Sequence, residues 1–139
     1  MVGGAVLAWL MAMSAFDITQ RRLPNWLTLP GAVAILGVTF VAGCGLQAAA
    51  GALILFAVYL SVHLLAPGAL GAGDVKLAIG IGALTGSLGV DVWALAVMGA
   101  PMMTAAWGSV AMLFRLKTTV PHGLSMCLTA VAASVLVVV

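Results

Sequence analysis

The stretch Gly68–Gly86, GALGAGDVKLAIGIGALTG, decides how the rest of the chain is read. It is small and apolar throughout, except for Asp74 and Lys76. Counting by four from Asp74 gives Ala78, Gly82 and Gly86, a single helical stripe of small residues. Such a stripe lets a second helix approach closely, so Asp74 belongs on a packing face rather than a lipid face. Ahead of the acid, Gly71 and Gly73 permit a tight re-entry into the membrane and close backbone approach by a peptide.

The composition around this stretch sets the class. Of 139 residues, 65% are hydrophobic and 6% are charged, against about a quarter charged in soluble domains. Such a surface is suited to lipid, and the expectation is one integral-membrane domain over residues 1–139, all-α. The net charge of +2 is too small to point to nucleic acid. Cys44 and Cys127 belong to no CxxC or Cys/His cluster, which leaves no zinc ligand set. A charged n-region with an A-x-A exit is absent from the start, so the first apolar stretch reads as a retained span.

Breaks in the apolar run give six spans, at about 1–18, 26–43, 47–66, 74–89, 91–114 and 120–139. DITQRRLPN ends the first, where Pro24 bars a continuous helix. Gly43-Cys44-Gly45 ends the second and Pro67-Gly68 the third. Pro101 lies inside the fifth and is expected to kink it. With six spans the loops alternate sides, and Arg21, Arg22, Lys76, Arg115 and Lys117 all fall on one of them. The positive-inside rule makes that side cytoplasmic and places both termini outside. Trp26 and Trp93 read as interfacial anchors at opposite faces.

The chain has three acids. Asp91 reads as the N-cap of the fifth helix, on the outer side. Asp17 ends the first span and Asp74 begins the fourth, both at the cytoplasmic boundary and at similar depth. A carboxylate at a membrane boundary is costly and defaults to a functional reading. The bland reading is a pair of helix-end residues matched to Arg21, Arg22 or Lys76. Two nearby carboxylates share one proton and titrate as a unit. That is the arrangement with which an aspartic protease takes a proton from water and donates one to a carbonyl. Each aspartate's own helix dipole favours the charged form of Asp74 over that of Asp17, which suggests Asp74 as base and Asp17 as acid.

Two motifs then resemble one family. GAGDVK, with Gly71-x-Gly73-Asp74 before Val75-Lys76, resembles the GxGD signature of type IV prepilin peptidases. DITQRRLPN, with Asp17 seven residues before Pro24-Asn25, is similar to that family's first aspartate motif. Pro121-His122-Gly123 is similar to its proline-aromatic-glycine element, with His122 in place of the aromatic.

The resemblance covers essentially the whole chain. It implies an intramembrane aspartic endopeptidase of a bacterial inner membrane, with Asp17 and Asp74 as the catalytic pair. The substrates it implies are prepilin or pseudopilin precursors, cut at the cytoplasmic face. Larger members carry a cytoplasmic domain, often with paired cysteines, and methylate the product. This chain resembles the short, peptidase-only branch of tight-adherence (Flp) pilus systems, so no cofactor, S-adenosylmethionine included, is expected.

Within that resemblance, Pro24 and Asn25 shape the turn that holds Asp17, and Arg21 and Arg22 act as topology anchors. Lys76 has two readings: a snorkelling anchor, or a cation that steadies the dyad or meets an acidic residue just after the cut. His63 reads as a helix-packing hydrogen bonder, and the role of His122 stays open. Two rivals from other classes remain: a small proton- or ion-coupled transporter, whose acids would sit nearer midplane, and a non-catalytic pilus-assembly subunit.

Overall fold

The apolar runs become helices, and their polar or glycine breaks become the helix ends. A computed structural model describes residues 2–117 and 121–138 of the chain. Among these residues there are six helices: α1 Val2–Gln20, α2 Asn25–Val41, α3 Gly45–Leu65, α4 Ala72–Leu88, α5 Val90–Leu113 and α6 His122–Val138. Each expected span coincides with one helix to within a few residues. The outer bounds at 1, 120 and 139 lie outside the described residues. Helices α3 and α5 are long and apolar enough to cross a membrane.

Local chemistry ends the helices where the sequence breaks. Helix α1 stops at Arg21, whose left-handed φ of 52° turns the chain while its amide still donates to the Asp17 carbonyl at 3.2 Å. Pro24 then takes the N-cap position of α2 in an extended conformation, and its carbonyl accepts from the amides of Leu27 and Thr28. The turns into α3 and α5 use Gly43 (φ 82°) and Gly89 (φ 124°), where a side chain would be strained.

Helix α4 is the centre of the bundle. It packs against α2, α3, α5 and α6, and Ala78, Gly80, Gly82, Ala83 and Gly86 are all buried. The small stripe sits on α3. A Cβ on Gly82 would stand 2.5 Å from the Gly51 carbonyl oxygen and 2.8 Å from Ala52 Cα, and one on Gly86 2.7 Å from the Gln47 carbonyl. The two backbones therefore touch, as the spacing implied, and Asp74 begins this packed helix. Large apolar side chains point the other way: Leu53, Met102, Phe114 and Val41 are well exposed. Met13, Leu55, Leu77 and Ile81 fill the core beside this seam of small residues, and a small-residue seam is how two helices come close in lipid.

Two expectations need correction. Trp93 is no free interfacial anchor: its indole N–H donates to the Gly51 carbonyl at 3.2 Å, on the α3–α4 contact. Trp26 does stand exposed, edge-on to Phe16. Asp91 is not the cap of α5. Gly89 holds that position, and Asp91 lies in the first turn, where a carboxylate still suits the positive helix end. The two glycines ahead of Asp74 keep ordinary backbone conformations. Gly71 is extended (φ −74°), and Gly73 lies inside α4.

Candidate active site

Asp17 comes from the last turn of α1, Asp74 from the first turn of α4. Both line one cavity of about 920 Å³ at the end of the bundle where α1, α3 and α5 finish and α4 and α6 begin. Asp17 is buried, at 8% exposure, and Asp74 is half-buried.

The turn residues set this placement. Leu23 is buried beside Gly73, where a Cβ would stand 3.3 Å from the Leu23 Cβ. The loop after α1 is thereby pressed onto the start of α4. Close approach, rather than turn conformation, is thus what Gly73 provides. Gly71 lines the cavity, and its carbonyl accepts from the amides of Asp74 and Val75 at 3.2 and 3.4 Å.

Asp17 has a partner that the sequence did not disclose. Its Oδ2 accepts the backbone amide of Leu124 at 2.9 Å, at the N-terminus of α6. Gly123 makes room for this, since a Cβ there would lie 3.0 Å from Asp17 Cγ. A backbone amide donating to a carboxylate stabilises the anion, and the positive end of α6 acts in the same sense. The expectation that Asp74 is the base counted each aspartate's own helix only. A third helix end now weighs on the side of Asp17.

The basic residues divide. Arg21 is exposed and lines the cavity, whereas Arg22 is exposed and is not among its walls. Lys76 lies outside the walls too, and its Nζ donates to Asn25 Oδ1 at 2.7 Å. Asn25 is the first residue of α2, so this bond ties α2 to the first turns of α4, which carry Asp74. His63 donates from Nδ1–H to the Leu70 carbonyl oxygen at 2.7 Å and fastens the end of α3 to the segment before α4.

His122, left open by the sequence, opens α6 and also lines the cavity. Its ring lies between Tyr59 Oη, 3.0 Å from Nε2, and Thr104 Oγ1, 2.8 Å from Nδ1. Tyr59 and Thr104 were not singled out from the sequence, where nothing marks one hydroxyl among apolar residues. Much of the remaining wall is apolar and comes from α5, through Met103, Trp107 and Val110. Both cysteines are free: Cys44 at the N-cap of α3, Cys127 buried in α6.

Two carboxylates facing one cavity, one of them held by a backbone amide, can share a proton around a water molecule. Comparison with known proteins bears on what such a pair does here. Neither the curated proteins nor the solved structures offer a match to the chain. The family model of the type IV leader peptidases matches residues 4–139. With nearly its whole length accounted for by that model, the chain belongs to the type IV leader peptidase family.

Proposed function

We propose that the chain is an intramembrane aspartic endopeptidase that removes the leader from Flp-type prepilins at the cytoplasmic face of a bacterial inner membrane. The observation that carries this reading is the placement of Asp17 and Asp74 on the walls of one cavity. Six spans with both termini outside would set that cavity at the cytoplasmic boundary, because the basic residues gather at the same end.

Asp17 acts as the base and Asp74 as the acid, the reverse of the assignment from each helix's own dipole. Asp17 takes a proton from water as the water oxygen attacks the scissile carbonyl carbon. Asp74 gives its proton to the carbonyl oxygen, forming a neutral diol. The protonated Asp17 then donates to the leaving amine nitrogen. As the carbon–nitrogen bond breaks, Asp74 recovers a proton from the diol and the dyad is restored. The apolar α5 wall receives the hydrophobic segment of the precursor, and Arg21 stands at the mouth. The reading includes no methylation step.

Support against a transporter comes from position: both acids sit at one end of the bundle rather than near its middle. The test is to incubate the purified protein, in detergent or lipid, with candidate Flp-type prepilins and to score leader removal by mass. One new bond cut in one prepilin is expected. An intact, folded protein that cuts none would refute the reading.

A further inference from the structure

The Tyr59–His122–Thr104 chain of hydrogen bonds has no part in the chemistry just described, yet it grips the helix end that holds Asp17. We propose that His122 is a positioning residue of the dyad: bound between α3 and α5, it fixes the N-terminus of α6 so that the Leu124 amide stays on the Asp17 carboxylate. This rests on the peptidase reading for its consequence in catalysis, but not for its geometry.

The hydrogen-bond inventory assigns the ring. Thr104 Oγ1 lies 2.9 Å from the Ala100 carbonyl, and a hydroxyl has one proton to give. Thr104 therefore donates to Ala100 and accepts from Nδ1–H of His122 at 2.8 Å. The lone pair on Nε2 then accepts the Tyr59 hydroxyl at 3.0 Å. The neutral Nδ1–H tautomer thus satisfies every group in the chain. The Tyr59 and His122 rings also contact, with centroids 5.6 Å apart.

Leverage follows from the backbone. His122 is the first residue of α6 and Leu124 the third, with only Gly123 between them. Gly123 is packed against the Asp17 carboxyl and has no side chain to take up a shift. A displaced imidazole therefore moves the amide off Asp17. Tyr59 is buried on α3, and His122 lines the same cavity as both aspartates. The imidazole thus joins α3 and α5 to the helix end that holds Asp17. It reacts with nothing itself.

The experiment compares the parent with Tyr59→Phe, Thr104→Val, His122→Ala and the double variant His122→Ala/Tyr59→Phe, by kcat and KM on a cleaved prepilin. It also follows hydrogen exchange of the Leu124 amide in each protein. Tyr59→Phe and Thr104→Val should each lower kcat roughly fivefold, the rate equivalent of one hydrogen bond, with KM within about twofold. His122→Ala should lose at least as much. The double variant should be no slower than His122→Ala, because both changes break one unit. Leu124 exchange should quicken in all of them. Parent kcat in folded His122→Ala, losses confined to KM, or multiplied losses in the double variant would each overturn the proposal. If His122→Ala does not fold, parent-like kcat in both Tyr59→Phe and Thr104→Val overturns it instead. A parent that cleaves no prepilin fails the peptidase reading alone. The exchange data then decide the clamp, and unchanged Leu124 exchange rejects it.

Discussion

Asp17 near the end of α1 accepts the backbone amide of Leu124 at the start of α6, 107 positions away, at 2.9 Å. The contact exists because Gly123 carries no side chain: a Cβ there would stand 3.0 Å from both Asp17 Cγ and Oδ2. Gly123→Ala should favour helix formation by up to about 1 kcal/mol, so the protein is expected to fold. Its extra methyl should push the carboxylate off the amide and cut kcat for leader removal at least tenfold, with KM little changed. Parent-like turnover would show that Asp17 does not need this seat.

A second prediction concerns the centre of the bundle. A Cβ on Gly82 meets the α3 backbone at 2.5–2.9 Å, whereas one on Gly37 meets nothing within 4 Å. Backbone cannot rotate away as a side chain can. Gly82→Ala should therefore cost about 1–3 kcal/mol, as overpacking does, and lower the Tm in detergent. Gly37→Ala should leave the Tm unchanged or raise it. Equal shifts in the two variants would deny the backbone contact between α3 and α4.

Lys76 supplies a third. Its ammonium is bound to Asn25 rather than facing the cavity. Lys76→Ala and Asn25→Ala should each slow cleavage less than about threefold, in keeping with one exposed hydrogen bond. Combined, they should do no more than either alone. A loss of a hundredfold in Lys76→Ala would make Lys76 part of the catalytic apparatus.

The six-span topology gives a fourth. In a Cys44→Ala/Cys127→Ala background, single cysteines are placed at Arg22, in the α1–α2 loop, and at Val90, the first residue of α5, on opposite expected sides. A membrane-impermeant thiol reagent applied to intact cells should label the Val90→Cys protein and spare the Arg22→Cys protein. Labelling of both, or of Arg22→Cys alone, would contradict the proposed orientation.

Much of this architecture was legible in the sequence, for identifiable reasons. Helix ends were visible because Pro24, Gly43, Pro67 and Gly89 interrupt apolar runs, and lipid-facing helices must be nearly continuous. The stripe from Asp74 through Gly86 was visible because small residues at helical spacing serve close approach. Partners across the bundle were not. The rotation of α6 decides that Leu124 meets Asp17, and the rotation of α5 turns Trp93 inward to Gly51. Neither rotation leaves a local mark. The proton assignment proposed here departs from the one read from the sequence for the same reason: the dipoles of α1 and α4 could be counted there, but the N-terminus of α6 at Asp17 could not. Tyr59 and Thr104 acquire meaning only once His122 is seen between them.

The central claim is that Asp17 and Asp74 act together on one water molecule. It is tested most directly by co-expressing a cleaved Flp-type prepilin with the parent protein, Asp17→Asn and Asp74→Asn, and measuring the fraction of leader removed at matched levels of folded enzyme. Asparagine keeps the shape of each side chain and removes its ability to exchange a proton. Each substitution alone is expected to reduce cleavage by at least about a hundredfold, the lower range for loss of an acid–base group. Leader removal at the parent rate in either variant would contradict the dyad.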